Sequence, residues 1–417
     1  MTLFDFIKNS PTAYHATANI AAFLDELGYT RLFENNEWQP AEGGNYYTVR
    51  GGSSIIAFRY KGDAPFNITA SHSDSPAFRV KGEDRGTAYS RLSVERYGGA
   101  INYSWFDRPL AVAGRVTLRT ADGIATRLVT LPERLVIPSV PPHLDTAQNA
   151  GFSPNPARDL LPLYAAGSER TLTASVADTL GVDADTILSH DLFLTVADEP
   201  ASLGASGELI LAPRIDDLAA VYSALVGFSA PDSSASTPVL AVFNNEEVGS
   251  STKQGANSTF LSDTLTRIAG SEAKLRTLIP DSFMLSIDNA HGKHPNRPDL
   301  SDPTDAPILN GGIVIKHNAE ERYTTDGISS AVVTVLAERC GVRVQHYSNR
   351  ADLRGGSTLG SIATTKVSVK SCDIGIAQLA MHSAAETAGA RDIEDMTALV
   401  REFYSASFKE CGDKLVF

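Results

Sequence analysis

The sequence predicts an α/β fold in which a mixed central sheet is flanked by helices and interrupted by an inserted β-rich domain. Two textures along the chain predict it. From Glu208 onward, strand-like and helix-like segments alternate, which is the pattern of an α/β sheet. From about Ser90 to Leu203, alternating pieces such as GRVTLRT and TRLVTLP are instead separated by Pro-rich stretches such as VIPSVPPHL and FSPNPARD. The expected division is one domain from 1–89 and 204–417, with 90–203 inserted.

The elements follow in chain order. PTAYHATANIAAFLDELGY reads as an amphipathic helix, with Ile20, Phe23, Leu24 and Leu27 at helical spacing and Gly28 as its stop. SSIIAFRY and NITASH are short, apolar and partly β-branched, and the second runs into the polar cluster SHSDSP. DDLAAVYSALVGF reads as a helix, TPVLAVFNNEE as a buried strand ending in acids, and FMLSIDNAH as another strand ending in polar residues. DGISSAVVTVLAERCG is a helix closed by Gly341, and RDIEDMTALVREFYSASF is the C-terminal helix. Core strands thus terminate in residues able to bind metal.

Composition narrows the function classes. With 417 residues, 42% hydrophobic and 20% charged, the chain has the make-up of a globular protein with a sizeable core. Asp5 lies within the first apolar cluster, and no basic segment precedes an unbroken apolar run, so the start is unlike a signal peptide. No stretch approaches the roughly 18 apolar residues that span a bilayer. Cys340, Cys372 and Cys411 are far apart in sequence and fit a reducing, cytoplasmic setting. A net charge of -13 argues against nucleic acid or an anionic membrane as partner. An acidic substrate remains compatible, because one buried cation decides that locally.

Five polar clusters carry candidate chemistry. In His72-Ser73-Asp74, at a strand end, a His and an Asp two residues apart share one side, so the acid can orient the ring. Alone, the pattern is equally that of a hydrogen-bonded loop histidine. Asp216-Asp217 precedes an apolar helix, where Asp is a common cap. Glu246-Glu247 follows the apolar strand VLAVF, where adjacent acids are costly unless a cation or proton offsets their repulsion. In extended backbone the two would point to opposite sides, one as metal ligand and one as general base. A solvated acidic turn is the alternative. Asp288, in SIDNAHGKH, reads as a ligand or an Asx turn, and His382, in AMHS, as a ligand or a core histidine.

Together the clusters supply His, Asp, Glu, Asp and His, a set suited to zinc, cobalt or manganese. With HSDSP, PRIDDLA, NNEEVGSS, SIDNAHGKHPN and QLAMHS in this order, and with YSWFDRPLAVAGRV, GGIVIKHNAEERYTTDG and GGSTLGSI, the chain closely resembles the M18 family of aspartyl aminopeptidases from near Asp5 to near Phe408. The resemblance implies a metallopeptidase catalytic domain with an inserted dimerisation or lid domain. It also implies two divalent ions, zinc first and cobalt or manganese as alternatives. His72, Asp216 and Asp288 match the ligands of one ion, and Asp216, Glu247 and His382 those of the other, with Asp216 bridging. Glu246 matches the general base and Asp74 the acid supporting His72. His143 matches a histidine presented to a neighbouring subunit's active site.

The implied reaction is removal of an N-terminal Asp or Glu from peptides with a free N-terminus, by a metal-activated water whose proton Glu246 takes and returns to the leaving amine. No G-x-S-x-G nucleophile motif competes with this. Lys316, Arg322 and Arg354 lie in family-like motifs where a cation could face the acidic side chain. Lys316, ending the apolar run GGIVIK, is the favoured one. A homo-oligomer, usually a dodecamer, is implied as well. Asp217, Asn244 and Ala384-Ala385 depart from the family pattern, which bears on pocket shape but removes no ligand. The competing readings are a di-metal aminopeptidase of other specificity and a non-catalytic, assembly-forming paralogue.

Overall fold

A computed structural model describes the chain over 1–417 except Thr87 and Asp232. The central sheet runs in the order Thr30–Arg31, Asn45–Arg50, Ser54–Arg59, Thr237–Phe243, Phe66–His72, Phe283–Ile287, Lys370–Gly375, Ile313–His317, Val344–Ser348. Its four middle strands, from Thr237–Phe243 to Lys370–Gly375, are mutually parallel. The strands on either side of them, Ser54–Arg59 and Ile313–His317, pair antiparallel, so the sheet is mixed. Strands Thr237–Phe243, Phe66–His72 and Phe283–Ile287 are buried at every residue, as expected of parallel strands covered on both faces.

Side-chain alternation divides each strand between two cores. Ile55, Ala57, Leu240 and Val242 face helices Ala13–Glu26, Ile215–Ser229, Gly327–Cys340 and Ala390–Ser405. Ile56, Phe58, Val239 and Ala241 face the opposite layer, with helices Phe260–Ala269 and Leu359–Ala363. Gly227 permits a close approach of helices Ile215–Ser229 and Ala390–Ser405, since a Cβ there would lie 2.5 Å from Val400 Cγ1. On the first amphipathic helix Ile20 and Leu24 are buried, but Leu27 falls past the last turn and is 45% exposed.

The second sheet runs Gly123–Thr130, Leu110–Thr120, Ile187–Val196, Ala77–Arg85, Tyr89–Tyr97, Leu163–Ala166, and its pairings are antiparallel. It has a separate core that includes Phe78, Leu92, Val94, Leu192 and Leu194, covered by helix Leu172–Leu180. The sheet reaches back beyond the expected break at residue 90, because Ala77–Arg85 pairs along its length with Tyr89–Tyr97. It ends at Val196, and Ala201–Leu203 already pairs with Leu209–Ala212 in a small third sheet. That sheet continues through Glu386–Gly389 and Ala377–Leu379 to Ala290–His291. It therefore draws the loop carrying His382 toward the segment that begins at Asp288. Among the described residues no helix is long and apolar enough to cross a membrane.

Candidate metal centre

Three neighbouring parallel strands open their carboxyl ends on one edge of the sheet, which is where α/β folds build their sites. His72 is the last residue of its strand, Asp288 follows Ile287, and Glu246 and Glu247 follow Phe243 within a short turn. Asp216 enters from the start of the helical segment Ile215–Ser229, and His382 from the loop between Leu379 and Glu386. His72 Nε2 lies 3.4 Å from Asp216 Oδ1, and His382 Nε2 lies 3.5 Å from Asp216 Oδ2. His382 Nε2 is also 3.4 Å from Glu247 Oε1. One carboxylate therefore stands between two imidazoles. Ligand atoms of His72, Asp216, Asp217 and Asp288 lie within 4.8 Å of one another, as do those of Asp216, Glu247 and His382.

The donor set fits divalent metal on its own chemistry. Among the described residues, Asp216 Oδ1, Asp217 Oδ1 and Glu247 Oε1 are buried and accept no hydrogen bond, although imidazole nitrogens stand 3.4 Å from the first and third. A buried carboxylate oxygen left unpaired is costly, and a cation removes that cost. Imidazole and carboxylate together are the ligands of zinc and its first-row neighbours.

Local backbone differs from the sequence-based expectations at two places. Asp216 and Asp217 sit at a kink before the continuous helix with non-helical angles (Asp216 φ -82, ψ 106; Asp217 φ -121, ψ 21), and their carboxylates face His72 and His382 in the cluster instead of the helix's first N–H groups. Glu246 and Glu247 do not lie in extended backbone but in a 3₁₀ turn, Glu246–Val248, entered through Asn245 at φ 65. The turn brings both acids toward the histidines rather than to opposite sides, and ligand atoms of His72, Glu246 and Glu247 lie within 4.8 Å of one another.

Asp74 braces this turn. Its Oδ1 accepts the Glu246 N–H at 3.1 Å and its Oδ2 the Glu247 N–H at 3.2 Å. Its contact with His72 is chiefly through the main chain, the carbonyl being 3.1 Å from Nδ1 and the carboxylate 3.6 Å. Crowded acids raise one another's proton affinity. Burial, followed by the charges of Asp288, Asp74 and Asp216, pushes the Glu246 carboxyl up to about 8, although His72 opposes this. Burial and then the Asp216 charge push Glu247 well above the usual carboxylate range. Burial disfavours a charged His72, but Asp217, Asp216 and Asp74 outweigh it and hold the imidazole proton well above its ordinary range.

The sequence model of the M18 family, described as aminopeptidase I zinc metalloprotease, matches residues 6–404. The chain belongs to the M18 aminopeptidase family. A probable M18 family aminopeptidase 2 of Clostridium acetobutylicum is 39% identical over 422 residues, covering 97% of this chain and 98% of the relative. Among solved structures, the cryo-EM complex of Ape4 and Nbr1 contains a chain 32% identical at TM-score 0.92, covering 97% of this chain and 84% of that one. The S. cerevisiae mApe1 dodecamer is 26% identical at TM-score 0.82, with 96% and 95% covered.

The aminopeptidase carries further site residues that pattern reading passed over. Glu386 is buried and accepts two backbone donors, Asp216 N–H at 2.9 Å on Oε2 and His382 N–H at 2.6 Å on Oε1. One acid thus fixes the backbone of two proposed ligands. Asn289 donates to the Ile215 carbonyl at 2.9 Å and to Gln378 Oε1 at 3.0 Å, tying Asp288 to the Asp216 segment. The only sequence signal for Glu386 was a Glu preceding a strand-like TAG, which is common on any surface.

The remaining expected residues are differently placed. Lys316 is buried, with Nζ 3.8 Å from Asp288 Oδ1 and 3.3 Å from the Asn289 carbonyl, over the Tyr323 ring at 5.1 Å. Arg322 pairs with Glu320 at 2.9 Å and, among the described residues, makes no ion pair or hydrogen bond to the cluster. Arg354 is exposed. His143 is exposed in the loop between Ile137 and Leu160 and, among the described residues, belongs to none of the groups able to hold a metal ion.

Proposed function

We propose that this aminopeptidase removes acidic residues, Asp or Glu, from the N-termini of peptides, using two divalent ions held by His72, Asp216 and Asp288 and by Asp216, Glu247 and His382. The observation carrying the acidic preference is the buried Lys316 ammonium at the margin of the cluster. It has three donors, of which the Asn289 carbonyl takes one at 3.3 Å. That leaves donor capacity for a substrate carboxylate, in surroundings where an ionic hydrogen bond is strong.

Held by these residues, divalent ions, zinc by family and cobalt or manganese by donor type, would supply an activated water and charge stabilisation for the developing oxyanion. The protein's own groups do the rest. Glu246, held in its turn by Asp74, takes the proton of the attacking water and delivers it to the leaving amine. The acidic cluster favours a substrate's free α-ammonium, which makes the reaction exopeptidic.

The body spanning 90–203 is read as a lid and oligomerisation module, and the whole as a dodecamer, supported by the dodecameric relative. In that assembly the exposed His143 would meet a neighbour's site, and Arg322 would serve the rim of the substrate pocket. Three unpaired cysteines support a cytoplasmic setting. The deciding experiment is kcat/KM on peptides differing only in the first residue, Asp, Glu, Ala, Leu or Arg, with N-blocked controls. Acidic residues should lead and blocked peptides should be inert. A lead for Leu or Arg would replace this reading with another N-terminal specificity.

A further inference from the structure

We infer that Tyr97, a residue of the second sheet, is a positioning residue for the general base: its hydroxyl locks Asp74 and Asn245, and through them the turn presenting Glu246.

The strand that carries Tyr97 has two faces. Leu92 and Val94 point into the second core, as do Leu192 and Leu194 on strand Ile187–Val196. Tyr97 and Phe193 fall on the alternate positions and so face the catalytic body. Their rings meet edge to face at 5.5 Å. The phenol is thereby carried away from its own core toward Asp74, with its ring orientation fixed by a neighbour on the same sheet.

The hydroxyl has a defined direction. Its contact with Asp74 Oδ2 is 2.7 Å, and an ionised carboxylate only accepts, so the phenol donates. Its lone pair then receives Asn245 Nδ2–H at 2.8 Å. The amide orientation of Asn245 is fixed in turn, since its Oδ1 accepts Thr252 Oγ1 at 2.9 Å and Gln254 Nε2 at 2.8 Å. Asn245 occupies the left-handed region at φ 65, which Asn tolerates better than most residues, and the Glu246–Val248 turn starts from it.

The network is thus closed. Tyr97 holds the residue that starts the turn and the acid that receives both of the turn's first N–H groups. The chain just after Tyr97 continues the contact: a Cβ on Gly98 would lie 3.1 Å from Glu247 Cβ, and Ile101 N–H donates to the His382 carbonyl at 2.9 Å. Removing the hydroxyl leaves Asn245 Nδ2 without its acceptor and Asp74 with one donor fewer. Both release the turn to rotate, and small misplacements of reacting groups are expensive in rate.

This inference rests on reading Glu246 as the base, and the experiment separates the two. Tyr97→Phe, Glu246→Gln, Asn245→Gly and the Tyr97/Asn245 double variant are compared for kcat, KM, metal content and thermal midpoint as intact, metal-loaded enzyme. Gly at 245 keeps the left-handed turn accessible. The expected result for Tyr97→Phe is a kcat reduced roughly 10- to 100-fold, with KM within about twofold of the parent and metal content unchanged. The double variant should be no slower than the slower single variant, because both act through one turn. Retained turnover in Glu246→Gln would sink the base assignment itself. With that variant inactive, a parental kcat in Tyr97→Phe overturns the positioning role. So does a loss of rate that tracks lost metal or lost fold, or that adds independently to Asn245→Gly.

Discussion

The ammonium of Lys316 lies 3.8 Å from Oδ1 of Asp288, so the buried cation beside the metal cluster already leans on one of the proposed ligands. The pairing is mutual. Burial raises the Asp288 carboxyl, the Lys316 charge pulls it down, and the Asp216 charge pushes it up again. Lys316 therefore has two tasks, steadying Asp288 and offering donors to a substrate side chain.

Lys316→Ala should lower the preference for Asp over Leu at the N-terminus by roughly tenfold to hundredfold in kcat/KM, the worth of one hydrogen bond to a charged group. Metal affinity should not fall, since removing a cation 3.8 Å from Asp288 also removes its repulsion of a divalent ion held there. An unchanged Asp-to-Leu ratio would remove Lys316 from the specificity pocket.

Glu246→Gln keeps the side chain's shape and deletes its basicity. Metal content should match the parent, because Glu246 is assigned to neither ligand set, while kcat should fall roughly a hundredfold to ten-thousandfold. Metal analysis alongside steady-state kinetics checks both halves. In His382→Ala, by contrast, metal content itself should fall.

Metal affinity should weaken as pH falls. Burial opposes protonation of His72 and His382, but neighbouring acids, Asp217 and Asp216 for the first and Asp216 for the second, raise both above the ordinary imidazole range. A ligating imidazole must be neutral, so metal competes with protons below those raised values and binds freely above them. Competition with a chelator at pH 8, 7 and 6 measures this. A pH-independent affinity would mean that neither histidine gives up a proton on binding.

Glu386→Ala removes the acceptor of two N–H groups, a buried one on Asp216 and a half-buried one on His382. Each orphaned donor costs about 1–3 kcal/mol, so the thermal midpoint should fall by several degrees. Metal content should fall with it, because both backbones carry ligands. Loss of stability with full metal content would show Glu386 to be a brace for the fold alone.

The sequence by itself determined the alternation of strands and helices, the β-rich texture between them and the polar residue types that gather at the strand ends. Hydrophobic periodicity is local, and a run such as VLAVF ending in two acids is informative without any partner. Resemblance across the ordered motifs supplied what no single motif carried. The tertiary structure decided three other things. It set the extent of the second sheet, because the pairing of Ala77–Arg85 with Tyr89–Tyr97 is a hydrogen-bonding relationship that residue patterning around 90 does not express. It decided that Asp216 turns into the cluster, and that Glu246 and Glu247 share a 3₁₀ turn, because those segments are held by Glu386 and Asp74 from distant parts of the chain. And it brought Tyr97 of the second sheet against Asp74, which lies just past the end of the central-sheet strand Phe66–His72. An isolated tyrosine or glutamate at a strand end has no periodic signature. Its role exists only once long-range packing supplies the groups it bonds.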